Sequence, residues 1–323
     1  MVIYSRRGAV SALAALLLTT GMASAAPVPK EIRIDYATYN PVSLVLRKNR
    51  ILEDELAKDG IAVRWVQTLG SNKALEFLNA GSIDFGSTAG AAALIGRING
   101  NPIRSIYVYS RPEWTALVTR KDSGVTQVAD LKGKRVAVTR GTDPHIFLVR
   151  TLAKAKLTER DVKLVLLQHP DGRTALERGD VDAWAGLDPL MAASEVESGS
   201  VLFYRDKEAN TWGVLNVSEE FAKEQPDLVG RVLKAYEAAR RWSLAHPAEL
   251  KSILVEATGL SDQVIARQLE RTELTHSAIG DAQRETILAA GLALKEAGVL
   301  PAATNVEAAV DGLIDRRFAA PTQ

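Results

Sequence analysis

Glu31-Ile32-Arg33-Ile34-Asp35-Tyr36-Ala37-Thr38-Tyr39-Asn40-Pro41-Val42-Ser43-Leu44 begins with apolar residues at every second position and then, after a short polar break, changes its period. Ile32, Ile34 and Tyr36 alternate as in a strand with one buried face, whereas Leu44, Leu46, Ile51, Leu52 and Leu56 recur at helical spacing as far as Gly60. A second strand follows at Val63, Trp65 and Val66, then a helix through Ala74, Leu75, Phe77 and Leu78 up to Gly81, then a short strand from Ile83 to Gly86. Strands linked by helices in this way run parallel, joined by right-handed crossovers.

The same grammar restarts further on. Arg135 to Val138 reads as a strand, Ile146 to Ala155 as a helix, Val162 to Leu167 as a strand, Thr174 to Arg178 as a short helix and Val181 to Ala185 as a strand. The fold class is therefore α/β, with two doubly wound units in series and no Pro/Ser-rich linker between them. Two apolar stretches, Thr115 to Thr119 and Trp212 to Val217, are expected to run between the units as hinge strands. From Glu219 onward the pattern is helical, with Gly259 and Gly298 as stops, and this stretch is expected to pack back on the first unit. The expected division is lobe 1 from residues 26–114 and 217–323, and lobe 2 from residues 115–216.

Composition narrows the chemistry. The 323 residues are 46% apolar and 24% charged, with 40 Lys+Arg against 39 Asp+Glu and no cysteine. Interspersed charges of nearly equal number argue against nucleic-acid coating, which needs a concentrated basic face. Without cysteine there is no disulfide framework, zinc ribbon, iron–sulfur site, thiol nucleophile or lipid-modified anchor, and the four histidines are too widely spaced to suggest a metal. No cofactor is expected.

At the N-terminus, Arg6-Arg7 precede a charge-free run from Gly8 to Pro29 with an apolar centre at Ala9 to Leu18 and a small-x-small site at Ala23-Ser24-Ala25. Residues 1–25 are expected to be a cleaved signal peptide rather than a membrane anchor, because Ala, Ser, Thr and Gly dominate and Leu is sparse. Cleavage removes two of the 40 bases and no acid, leaving 38 bases against 39 acids in an exported, periplasmic chain.

In doubly wound sheets, ligands bind beyond the carboxyl ends of the strands, where loops enter helix N-termini. Those loops carry Thr38 to Ser43, Leu69 to Asn72, Ser87 to Gly90, Thr139 to His145, His169 to Arg173 and Gly186 to Pro189. Nearly all offer hydroxyl, amide or glycine groups beside unpaired backbone N–H groups, a setting that suits a small anion. Any one of them is equally an ordinary N-cap. His145, just inside a helix start, either contacts a ligand or caps neighbouring structure. Among Asp180, Asp182 and Asp188, only Asp188 stands at a strand end. Catalytic patterns are missing: Gly86-Ser87-Thr88-Ala89-Gly90 lacks the G-x-S-x-G order, and neither G-x-G-x-x-G nor G-x-x-x-x-G-K-S/T occurs.

Gly81-Ser82-Ile83-Asp84-Phe85-Gly86-Ser87-Thr88, the run Val128 to Val138, and Val181-Asp182-Ala183-Trp184-Ala185-Gly186-Leu187-Asp188-Pro189 resemble three signatures of periplasmic solute-binding proteins for aliphatic sulfonates, close to taurine and nitrate binders. The resemblance runs from about Ile32 to Arg317. It implies a two-lobed type II binding protein, not an enzyme, which acts as a monomer and passes a small organic anion to an inner-membrane ABC permease and its ATPase. By position, the sulfonate would lie near Tyr39, Asn40, Ser71, Thr88 and Gly141-Thr142, with Trp184 and Asp188 on the wall of the second lobe and Trp114 and Trp212 around the organic tail. Trp184, next to Ala183 in a strand end, reads equally as a core residue. The sequence departs from the family pattern where Gln is usual after the first strand and Trp before Asp-Pro; here Ala37 to Asn40 contains no Gln and Leu187 precedes Asp188. A related ligand such as taurine, nitrate or a pyrimidine-type nutrient, or an enzyme on the same fold, are the competing expectations.

Overall fold

The computed structural model describes residues 27–318; the expected signal peptide lies outside the described residues. Eleven strands form two sheets: β1 Glu31–Tyr36, β2 Ala62–Gln67, β3 Phe85–Ala89, β4 Ile103–Pro112, β5 Leu117–Thr119, β6 Arg135–Val138, β7 Lys163–Leu166, β8 Ala183–Ala185, β9 Val201–Tyr204, β10 Gly213–Ser218 and β11 Thr272–Glu273. The first sheet has the order β11-β4-β10-β3-β1-β2 and the second β7-β6-β8-β5-β9.

Each sheet has a parallel half built as the alternating patterns require. β1 runs parallel to β2 and β3, and β6 runs parallel to β7 and β8. The strand beside each parallel half is antiparallel, and it is the strand the chain reaches just after crossing from the other sheet: β10 pairs with β3, and β5 pairs with β8. The apolar stretches 115–119 and 212–217 enter the sheets as β5 and β10, and the chain crosses between the sheets at 113–116 and 205–212, so Thr115, Ala116 and Trp212 stand in the crossings. Because Gly213 to Asn216 pair with β3 and β4, they sit in the first sheet, whereas the expected division assigned them to lobe 2. Their apolar side chains explain the strand reading; only the pairing reveals which sheet receives them.

The period-2 pattern sorts the second lobe's core. Val136, Val138, Leu117, Ala183 and Ala185 face one layer with Phe147 and Leu148, while Ala137, Val118 and Trp184 face the other with Leu176 and Met191. In the first lobe, Ile32, Ile34, Phe85, Val214 and Leu215 pack with helix residues such as Val45, Leu94, Val232 and Tyr236. One helix spanning Leu44 to Leu56 was expected; it divides into Pro41–Lys48 and Ile51–Leu56, with Arg50 at φ 55 between them. The helix Gly90–Ile98 and the ten-residue β4 were not read from the sequence. The helical C-terminal stretch does return to the first lobe: helix Pro226–Ala245 packs on helix Pro41–Lys48, and helix Asp281–Glu296 packs on Gly90–Ile98. Among the described residues, no helix is long and apolar enough to cross a membrane.

Candidate functional site

The carboxyl ends of the two parallel halves face each other across the crossings, and a cavity of ≈ 10 Å³ lies between them. Tyr39 and Ser71 line it from the first lobe, Trp114 from a crossing segment, and Thr142, Asp143, Pro144 and Leu187 from the second lobe. That volume admits one water-sized sphere, so a larger ligand reaches these groups only when the lobes part. A wider compartment of ≈ 190 Å³ adjoins it, bounded by Thr38, Gln67 and Leu69 on one lobe, by His169, Asp188 and Leu190 on the other, and by Leu260 from the C-terminal helices.

Two helix N-termini bound the inner cavity. Helix Ser71–Asn79 starts after Gly70 and helix Asp143–Lys154 after Thr142, and neither receives a side-chain cap. Side-chain caps occur at Asn40, Ser218, Ser261 and Asn305, and most of the other described α-helices lack one, as these two do. The first N–H groups of the two uncapped helices have no partner within their own helix, and the helix dipole makes that end attractive to an anion. Gly141, at φ 78, allows the loop to turn into the second of these helices, and a Cβ on it would lie 3.9 Å from Asn72 Cβ of the opposite lobe. Among the described residues, no Lys or Arg lines the inner cavity.

The acidic group in this wall is held by three donors. Asp143 is buried; Trp114 Nε1 donates to its Oδ2 at 2.8 Å, Thr211 N donates to Oδ2 at 3.0 Å, and Thr211 Oγ1 donates to Oδ1 at 2.7 Å. Burial pushes its pKa above the ordinary carboxylate value, and the three hydrogen bonds act in the other direction. Trp114 and Thr211 belong to the two crossings, so Asp143 ties both to the second lobe. Trp114 also meets Tyr39 edge-on, with ring centroids 6.0 Å apart. Tyr39 Oη donates to Ser87 O at 3.0 Å and lies 3.2 Å from Thr68 Oγ1, which donates to Asp35 at 2.7 Å. Asp35 is fully buried and its pKa rises to about 6 through desolvation.

Of the residues singled out from the sequence, Tyr39, Ser71, Trp114 and Thr142 meet at the inner cavity and Asp188 at the outer compartment. Gly141 and Asn72 stand beside the inner one, where Asn72 Nδ2 donates across the lobes to Gln168 Oε1 at 3.4 Å. Five others are used elsewhere. Asn40 caps Ser43 N and donates to Ser87 Oγ at 2.8 Å. Thr88 Oγ1 accepts from Asn216 at 2.8 Å inside the first sheet. His145 turns to Glu159, 2.9 Å away. Trp184 is fully buried in the second lobe's core, its indole against Gly172, where a Cβ would lie 2.7 Å from Nε1. Trp212 is occupied by Arg111 and His276.

Asp143, Pro144, Leu187, His169 and Arg271 were missed. Asp143 and Pro144 lie inside the marked loop Thr139 to His145, Leu187 inside Gly186 to Pro189, and His169 opens a third, so the loops were legible but these side chains were not picked out within them. Nothing local marked Arg271, which reaches from beside β11 to Asp188 at 3.5 Å and to Glu195 on the helix Leu190–Ser198 of the second lobe.

Residues 56–250 match the family described as NMT1/THI5 like. The chain is 27% identical over 264 residues, 80% of each sequence, to a Bacillus subtilis protein named for binding aliphatic sulfonates. A similarly named Escherichia coli protein is 29% identical over 262 residues, 80% of this chain and 82% of that one. Among solved structures, the alkanesulfonate-binding protein SsuA of Xanthomonas axonopodis pv. citri, bound to MOPS, superposes with a TM-score of 0.81 at 26% identity, covering 90% of this chain and all of that one. The nitrate-binding protein NrtA of Synechocystis PCC 6803 shares the fold alone, with a TM-score of 0.74 at 13% identity over 90% of this chain and 87% of that one. The two-lobed architecture is thus that of periplasmic binding proteins, and the chain belongs to the NMT1/THI5-like family.

Proposed function

We propose that the protein is the substrate-capturing component of an ABC importer, exported to the periplasm, and that its lobes close on a small organosulfonate without transforming it. The observation that carries this reading is the pair of uncapped helix N-termini, at Ser71 and Asp143, meeting in a cavity between two lobes. A sulfonate has one charge spread over three acceptor oxygens, so neutral N–H and hydroxyl donors can hold it without a lysine. Ser71 and Thr142 would flank the head group, Tyr39 and Trp114 would enclose the first carbons, and Gly141 and Asn72 would complete the rim. The names of the relatives support the ligand class and the import role. The lobes would be residues 27–112 with 213–318, and residues 117–204, joined by the two crossings; a monomer that docks on an inner-membrane permease and its ATPase follows from the same reading.

Closure is favoured because only the closed form lets both lobes contact one ligand. Isothermal titration of the purified protein with ethane-, propane- and butanesulfonate, sulfate and nitrate tests the proposal. Saturable heat with at least one sulfonate is expected; heat with nitrate or sulfate alone, or with none of them, overturns it.

A further inference from the structure

Asp188 stands at the seam between the lobes. It belongs to the second lobe, is 3% exposed, and is covered from the first lobe by Thr38, Tyr39, Leu69 and Leu260 around the outer compartment. Beside it, Ala192 and Ala193 of helix Leu190–Ser198 are sealed against Val264 of helix Asp262–Leu269, on the first lobe's side. Asp188 Oδ1 accepts from Ala192 N at 2.9 Å within its own lobe. Among the described residues Oδ2 has no hydrogen-bond partner, and Arg271 Nη1, 3.5 Å away, is too distant for a good one.

Arg271 comes from the first lobe's side and is committed to Glu195, to whose Oε2 its Nη2 donates. One guanidinium thus stands against two carboxylates. The other titratable and charged groups that face Asp188 do not balance it. Glu113 and Arg205, on the crossings, pair with each other at 2.7 Å. The Tyr39 hydroxyl is engaged by Ser87 and Thr68. His169, across the compartment, is buried, and desolvation holds its pKa at about 3, so the ring is neutral. A buried carboxyl with an unpaired oxygen and no cation of its own keeps a proton instead of a charge. Desolvation, against the weaker pulls of Arg271 and the Ala192 N–H, accordingly raises the Asp188 pKa to about 7. When the lobes part, the covering residues of the first lobe leave, water reaches the carboxyl, and its acidity returns toward the ordinary 3.8.

We propose that closure of the lobes takes up a proton at Asp188, so that ligand capture and protonation of this carboxyl favour each other. This rests on the proposed closure on an organosulfonate and adds a proton to it. A carboxyl that holds its proton more tightly in the closed form stabilises that form progressively as pH falls through about 7. His169 acts the other way, since its ring binds a proton more readily when the lobes are apart. At pH 7 closure is expected to take up about 0.5 proton at Asp188 and to release about 0.25 at His169, whose ordinary pKa is 6.5.

Titration calorimetry with ethane-, propane- and butanesulfonate at pH 7, in two buffers of different ionisation enthalpy, counts the protons exchanged. Sulfonates stay ionised at this pH, so the ligand contributes none. The wild type is expected to take up about 0.25 proton per ligand bound and Asp188→Asn to release about 0.25. Equal counts in the two proteins overturn the proposal. Release or no exchange by the wild type also overturns it, and decides it even if Asp188→Asn does not fold. Binding of none of the sulfonates overturns the organosulfonate reading, and the proton is then read without ligand. Asn72→Cys with Gly141→Cys places two Cβ atoms 3.9 Å apart across the lobes, within disulfide range, in a chain with no other cysteine. Carboxyl carbon NMR of the oxidised, closed double variant is expected to show Asp188 titrating near pH 7, and an ordinary carboxyl titration there overturns the proposal.

Discussion

Gly70 stands where the two lobes touch, and replacing it with valine is expected to act as a wedge. Its φ of 166 is extended backbone that any residue adopts, so the substitution does not strain the chain locally. A Cβ there would lie 3.1 Å from His169 Nε2 and 3.2 Å from His169 Cδ2, across the cleft, and 2.9 Å from Asn72 Oδ1 on its own lobe. The Asn72 amide is the end of a flexible side chain and can turn away. The His169 ring is buried and cannot, so a methyl already requires the lobes to part by a few tenths of an ångström, and valine adds two more carbons. Overpacking of this kind costs about 1–3 kcal/mol. The open form, in which the lobes are apart, does not pay it. The penalty therefore falls on closure, and at about 1.4 kcal/mol per tenfold it weakens ligand binding about 5- to 150-fold. Titration calorimetry of Gly70→Val with whichever sulfonate binds the wild type gives the affinity. Small-angle scattering with and without ligand is expected to show less compaction than in the wild type. An affinity within twofold of wild type, with normal compaction, would refute the reasoning.

Two further outcomes follow from buried groups. Trp114→Phe removes the indole donor at 2.8 Å from Asp143 Oδ2; because a hydrogen bond to a charged group contributes about 1.5–3 kcal/mol, chemical denaturation is expected to show a loss in that range, and an unchanged midpoint would contradict the role given to Asp143. His169 has a folded pKa of about 3, below the ordinary 6.5, so its stabilisation is complete above pH 6.5 and is lost as pH falls toward 3. Asp35 and Asp188, raised to about 6 and about 7, act in the opposite sense, since protonation favours their folded forms over the same acid range. The comparison of His169→Gln with wild type isolates the histidine: at pH 5 its contribution is a loss of about 2 kcal/mol that the variant lacks, and parallel pH profiles for the two proteins would argue against a buried neutral ring.

The cleft was partly legible because anion-binding loops announce themselves locally. Hydroxyl and glycine residues at strand-to-helix junctions singled out Tyr39, Ser71, Gly141 and Thr142, and all of them stand at or beside the inner cavity. The same signal also picked Asn40 and Thr88, whose polar groups are spent inside the first lobe on Ser43, Ser87 and Asn216. A capping asparagine and a ligand-binding one have the same neighbours in sequence; what differs is whether another element already satisfies the side chain. Trp184 shows the same limit for apolar groups, since Gly172, twelve positions earlier and on a separate helix, provides the space that buries it.

The sequence by itself determined the two α/β units, their parallel halves and the helical return of the C-terminus, because the periods of 2 and 3.6 residues are imposed by backbone geometry and by the need to bury one face of each element. Only the tertiary structure decided which sheet takes in each crossing strand, that Asp143 joins the two crossings, and that Arg271 lies between Asp188 and Glu195. These are contacts between residues tens to more than a hundred positions apart, and no local period encodes them. They exist only where elements distant in the chain come together in space, within a sheet for the crossing strand and at the meeting of lobes and crossings for Asp143 and Arg271.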